Sequence, residues 1–137
     1  MIRGLGVDLM SVKRMEEAVN RFGERLLIRV FTPEEIDYCM GKRFPASHLA
    51  GRWAIKEAFF KAMGMGWGQG LRWLDVEWKG IQGGPPQVVL KGETRQRAEE
   101  RGIHEVWASL SHERGFAVAA VLLSGEKKKR DHAKGQG

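Results

Sequence analysis

The sequence predicts an α+β domain in which an antiparallel sheet packs against one long central helix, with shorter helices around it. Three observations predict it. Leu49, Trp53, Phe60 and Met63 recur at helical spacing, and Ala50, Ala54 and Ala58 add a second, narrow face against which another backbone fits closely. Beyond residue 73 the chain alternates apolar and polar residues with a period of two, the pattern of half-exposed strands. Ahead of the central helix, Thr32-Pro33-Glu34-Glu35 is a compact helix-start signal. The 137 residues fit one domain with limited burial per residue, so assembly with other subunits is expected.

Taken in order, residues 2–7 read as a short buried strand carrying Gly4 and Gly6, and glycine inside a strand marks a close backbone approach. Asp8 follows at the strand's end, either capping the next helix or serving as a carboxylate ligand if the strand packs on the alanine face. Residues 12–22 form an amphipathic helix with Ser11 as N-cap and Met15, Val19, Phe22 and Leu26 as its core stripe. Arg14, Arg21 and Arg25 fall in one narrow sector if that helix runs through Gly23, as a solvated face or as a docking surface for an acidic helix or phosphate. The helix opened by Thr32 runs to about Met40, with Glu35 completing a capping box. Lys42 and Arg43 lie in a basic loop, Ser47 caps the central helix, and Gly64 ends it before a flexible turn with Gly66, Gly68 and Gly70. Residues 74–78 and 87–91 are strands joined at Gly83-Gly84-Pro85-Pro86, and 93–101 is a polar helix ended by Gly102. Strands at 104–111 and 116–123 are joined by a tight hairpin at His112-Glu113-Arg114-Gly115.

The net charge of +6 points to an acidic partner, but its distribution weakens that inference. Residues 126–137 carry a net of +3 in an aperiodic, lysine-rich stretch that reads as a solvated tail, and residues 1–125 carry the other +3. No apolar run approaches the roughly 20 residues of a membrane span, and no signal-peptide pattern opens the chain. The single Cys39 permits no internal disulfide and no cysteine metal cage, which agrees with a cytoplasmic location.

The central helix also carries Arg52, Lys56, Glu57 and Lys61, charges that burial forces to find partners. Glu57 and Lys61 lie one turn apart. They form either an ordinary intrahelical ion pair or a site where a carboxylate holds a divalent cation beside an ammonium that meets an anion. His112, after Ser109-Leu110-Ser111, is either a polar turn residue or a rim donor to phosphate.

In order and spacing, these pieces resemble the holo-acyl-carrier-protein synthases, the small bacterial branch of the 4′-phosphopantetheinyl transferases. The resemblance rests on Gly4-Leu5-Gly6-Val7-Asp8 followed by Arg14, on Phe31-Thr32-Pro33-Glu34-Glu35, on Ala50 to Ala62 with its Trp53-x-x-Lys56-Glu57-Ala58-x-x-Lys61-Ala62 core, and on Ser109-Leu110-Ser111-His112. It covers residues 1–125 as one transferase domain; Trp53 stands where phenylalanine is more usual, and the tail has no counterpart role. The resemblance implies the family's fold and transfer of 4′-phosphopantetheine from coenzyme A to a serine of apo acyl carrier protein. It implies Mg²⁺ on Asp8 and Glu57, with Glu57 and Lys61 catalytic. Arg52, Lys61, Gly64, Ser111 and His112 would bind the coenzyme, and Arg14, Arg21 and Arg25 would dock the carrier protein. It also implies a homotrimer with sites between subunits. A small basic nucleic-acid-binding module, supported by the charge and five tryptophans, is the competing reading, with a metal-dependent phosphohydrolase third. Neither the charge nor the tryptophans explain Asp8, Glu57 and Lys61, so nucleic acid is disfavoured.

Overall fold

The computed structural model describes residues 1–65 and 69–126. The tail at 127–137 and the Gly66 and Gly68 positions lie outside the described residues. The elements run β1 (Ile2–Ser11), α1 (Val12–Phe22), α2 (Glu24–Val30), α3 (Pro33–Met40) and α4 (Pro45–Met63). A 3₁₀ turn (Trp73–Asp75), β2 (Val76–Ile81), β3 (Gly84–Leu90), α5 (Gly92–Glu100), β4 (Ile103–Glu113) and β5 (Phe116–Gly125) complete the order.

Among the described residues the strands form two antiparallel sheets, β1-β5-β4 and the hairpin β2-β3. The amino-terminal strand thus joins the carboxyl-terminal hairpin, with Gly6 opposite Val121 and Asp8 opposite Ala119. Helix α4 lies on the inner face of the larger sheet, where Ala117, Ala119, Val121 and Leu123 are buried. As the spacing of its apolar residues predicts, α4 is buried around most of its circumference. The close approach expected at the strand glycines is present. A Cβ at Gly6 would overlap the Ala58 carbonyl oxygen, and one at Gly4 would overlap that of Ala62. The alanines of α4 and the glycines of β1 therefore form one seam with no side chain between the two backbones.

Several boundaries differ from expectation, each for a physical reason. Strand β1 continues through Asp8 to Ser11 because β5 is long enough to pair with all of it. Gly23, at φ 60°, breaks the first helix, so Arg25 belongs to α2 and the three arginines do not share one helical sector. Ser47 does not cap α4; Pro45 starts it one residue after Phe44, where a missing N–H costs nothing. The β2-β3 turn tightens to residues 82–83, with Gly83 at φ 79°, and both prolines sit in β3, which has no further sheet neighbour needing their N–H groups. The last hairpin turns at Arg114-Gly115, both with positive φ, and leaves His112 inside β4 opposite Ala117. Ser11 and Thr32 cap α1 and α3 as expected, the latter in a full capping box with Glu35.

Gly6→Ala should therefore cost about 3 kcal/mol, the upper end for overpacking, because the added methyl meets backbone rather than a movable side chain. Urea unfolding measures it, and a loss under about 0.5 kcal/mol would mean that the seam is not close-packed.

Candidate active site

In β1 the even positions face α4, so Gly4 and Gly6 bring the strand onto the helix and Asp8 continues along the same face. The Asp8 side chain is largely covered, and its Oδ1 lies 2.9 Å from Lys61 Nζ, which also donates to the Val7 carbonyl at 3.2 Å. Lys61 thus pairs across to the strand, and its carboxylate partner among the described residues is Asp8 rather than Glu57. Glu57, one turn earlier, accepts a 2.8 Å hydrogen bond at Oε2 from the Trp73 indole. Asp8 and Lys61 bring a carboxylate and an ammonium to the edge of the β1/α4 seam, and Glu57 stands one turn before Lys61 on α4. Two carboxylates suit a hard divalent cation that takes its remaining ligands from water and substrate phosphate. Among the described residues, no group of three or more His, Cys, Asp or Glu side chains forms a self-sufficient metal cage.

Beneath the site lies a buried ionic node. Lys56, fully buried, meets Glu35 Oε1 at 2.9 Å and donates to the carbonyls of Trp73 (2.9 Å) and Val76 (2.5 Å). Glu35 in turn accepts from the Thr32 and Trp78 backbone N–H groups, each at 3.0 Å. Burial holds the Lys56 ammonium below its ordinary range, and the charge of Glu35 opposes that shift. Glu77 extends the network, accepting from the Thr32 hydroxyl at 3.2 Å and forming an ion pair with Lys91 at 2.6 Å. Burial pushes the Glu77 carboxyl up, but the hydrogen bond and charge of Lys91, with Thr32, outweigh it and leave the group below its ordinary value. The buried Cys39 thiol, pushed up to about 11 chiefly by burial, is kept protonated and unreactive.

A second feature lies apart from the first. A cleft of about 380 Å³ is lined by Tyr38, His48, Arg52, Lys79, Pro86 and His112, among others, and by none of Asp8, Glu57 or Lys61. Arg52 is 8% exposed, its guanidinium 4.5 Å above the Tyr38 ring, its Nη1 directed to the His48 carbonyl at 3.4 Å, and its buried Nε without a hydrogen-bond partner among the described residues. A buried cation with a donor to spare suits an anion. His112 meets the Ser47 carbonyl through Nε2 at 3.1 Å, whereas Ser111, one residue away on β4, does not line this cleft. Gly64 is the left-handed cap of α4, at φ 70°, and its N–H returns to Lys61. Arg14, Arg21 and Arg25 are all exposed, on α1 and α2.

Sequence reasoning missed Trp73, His48 and Tyr38. His48 precedes Arg52 by one helical turn, a signal available in the sequence; the Trp73 indole and Tyr38 ring reach their partners only through the fold.

Comparison with known proteins gives the family. Residues 4–121 match the model of the 4′-phosphopantetheinyl transferase superfamily. The holo-[acyl-carrier-protein] synthase of Desulforudis audaxviator is 49% identical over 125 residues, covering 91% of this chain and 95% of that one. The crystal structure of holo-[acyl-carrier-protein] synthase from Neisseria meningitidis superposes with TM-score 0.84 at 32% identity, covering 90% of this chain and 99% of that one. The Helicobacter pylori holo-[acyl-carrier-protein] synthase, solved in complex with coenzyme A, superposes with TM-score 0.76 at 35% identity, covering 88% and 99%. The chain belongs to the 4′-phosphopantetheinyl transferase superfamily and, within it, to the family of holo-acyl-carrier-protein synthases, which are enzymes.

The buried network yields two expectations. Glu35→Ala, which leaves Lys56 charged and unpaired, should lower the unfolding free energy by about 3–5 kcal/mol in urea titrations. Because Glu77 is held below its ordinary value in the folded chain, it contributes stability above the usual carboxylate range that is lost as pH falls through the folded value. Glu77→Gln should therefore flatten the acid side of the stability profile; an unchanged slope between wild type and variant would contradict the Lys91 pairing.

Proposed function

We propose that the protein transfers the 4′-phosphopantetheine group from coenzyme A to a serine of apo acyl carrier protein, in a Mg²⁺-dependent reaction that leaves adenosine 3′,5′-bisphosphate. The observation that supports this reading is the Asp8–Lys61 contact across the β1/α4 seam, with Glu57 one turn before Lys61 on α4, in a chain whose relatives are holo-acyl-carrier-protein synthases, one of them solved with coenzyme A. Asp8 and Glu57 would hold the cation, with Glu57 Oε1 left available by the indole bond at Oε2. A bound divalent cation neutralises diphosphate charge at such a site. Lys61, with more than half of its side chain exposed, can swing from Asp8 to a phosphate oxygen and offset charge on the leaving group. The serine hydroxyl attacks the β-phosphorus of the coenzyme, the bond to the bridging oxygen of the α-phosphate breaks, and Glu57 accepts the serine proton, unless a carboxylate of the carrier protein does so.

Arg52 and His112, with His48 beside them, would hold the nucleotide end and its 3′-phosphate. They line a cleft that includes neither Asp8 nor Glu57, although Glu34, Glu35 and Glu77 line it too, and a site shared between copies of the chain would reconcile the two halves. The outer face of the larger sheet supports such an assembly. Leu5, Val7, Leu9 and Trp107 are each more than half exposed there, beside Val118, Ala120 and Leu122. A homotrimer covering this apolar face, with coenzyme between protomers, is the assembly we infer. Arg14, Arg21 and Arg25 remain the surface for an acidic helix of the carrier protein, and Ser111 and Gly64 the weakest members of the coenzyme set. The domain spans residues 1–125, and the tail is dispensable for the reaction. No described helix is long and apolar enough to cross a membrane. Fatty-acid synthesis in the cytoplasm is the setting in which an acyl carrier protein would be served.

Intact-mass analysis of apo acyl carrier protein incubated with the protein, coenzyme A and Mg²⁺ tests this. We expect a gain of one phosphopantetheine mass, abolished by EDTA and by Glu57→Gln, from a preparation whose light scattering reports three chains. Breakdown of coenzyme A without modification of the carrier would point to the phosphohydrolase instead, and full activity of Glu57→Gln would remove that residue from the site.

A further inference from the structure

We infer that Trp73 is a positioning residue for Glu57, holding the carboxylate in the orientation that metal binding requires; this rests on Glu57 being a metal ligand, as proposed above. Glu57 stands on α4 with Trp53 one turn before it and Phe60 one turn after. The Trp73 ring lies over that same face, 5.3 Å from the Trp53 ring and 6.5 Å from Phe60. From this seat its Nε1–H reaches Glu57 Oε2 at 2.8 Å, a charge-assisted hydrogen bond.

The backbone of Trp73 is held just as firmly. Lys56, the residue before Glu57, donates to the Trp73 carbonyl at 2.9 Å and to that of Val76 at 2.5 Å, and is itself fixed by Glu35. The 3₁₀ turn is therefore clamped to α4 twice, by the buried lysine at its carbonyls and by its own indole at the neighbouring carboxylate. A glutamate side chain has three rotatable bonds, and ordering it is a cost that metal binding otherwise carries. An indole donor on one oxygen removes most of that freedom and leaves the other oxygen for the ion, as outer partners of metal ligands commonly do.

The test uses Mn²⁺ as probe, titrated into the full-length protein with coenzyme A and followed by the electron paramagnetic resonance signal of the free ion, against a coenzyme-only control. Trp73→Phe keeps an aromatic ring and removes the donor; Trp73→benzothienylalanine keeps the bicyclic shape and replaces the N–H by sulfur. Both should weaken Mn²⁺ binding by about 10- to 100-fold. The Mg²⁺ concentration for half-maximal activity should rise in parallel, while turnover at saturating Mg²⁺ recovers. Trp53→Phe disturbs the same ring stack without touching the donor and should lower the melting temperature yet leave Mn²⁺ affinity unchanged. Equal losses in Trp53→Phe and Trp73→Phe, or wild-type affinity with benzothienylalanine, would overturn the inference. If Glu57→Gln binds Mn²⁺ as wild type does, the metal-ligand reading itself falls and takes the inference with it; if Glu57→Gln loses the ion while both Trp73 variants keep it, only the inference fails.

Discussion

The buried contact between Lys56 and Glu35 is the constraint on which the rest of the structure depends. A fully buried ammonium is tolerated only with a charged partner and satisfied hydrogen bonds, and this one has Glu35 and two backbone carbonyls. Meeting those demands ties four elements together. Glu35 belongs to the first turn of α3 and also receives the Trp78 N–H from β2; Lys56 belongs to α4; its two carbonyl partners bracket the 3₁₀ turn. A hydrophobic pair of the same volume can stabilise as much or more, but would not specify where the turn sits relative to Glu57.

The second organising feature carries no charge. Because β1 offers glycine where α4 offers alanine, strand and helix touch backbone to backbone, and the next residue on that strand face is Asp8. The Asp8 carboxylate meets Lys61 across this seam at 2.9 Å. The ionic node and the apolar seam thus both act on α4, one through Lys56 beside Glu57 and the other bringing Asp8 to Lys61.

The chain's size explains a further property. With one central helix and a three-stranded sheet, a single copy covers only the inner sheet face, and its outer face keeps Leu5, Val7, Leu9 and Trp107 exposed. The anion-suited cleft around Arg52 and the carboxylate seam open at different places in one chain. The strand that carries Asp8 also carries Leu5, Val7 and Leu9, so the exposed apolar face and the Asp8–Lys61 contact share β1.

Much of this was legible in the sequence, because helical and strand periodicities, capping residues and glycine spacing are local signals. The central helix, the capping box at Thr32 and Glu35, the strand order along the chain and the alanine face could all be read from spacing, and the order of short motifs pointed to the family. The partners were decided by tertiary structure. Lys61 lies one turn from Glu57, so spacing suggests that pair, yet the strand brings Asp8 to it; Asp8 reads as a strand end until β5 is long enough to extend the ladder through it. Gly23 looked compatible with a continuous helix, and only its positive φ separates Arg25 from Arg14 and Arg21. Nothing local reveals that the Trp73 indole N–H, sixteen residues after Glu57, will be folded back onto that carboxylate. Local sequence determined that α4 would be buried and where α1 and α3 would begin, but not that Ile2, Leu5, Val7 and Phe22 would stay exposed. Which charge meets which was set by the packing of elements distant in the chain, since an ion pair depends on separation in space and spacing along a single element reports only its own neighbours.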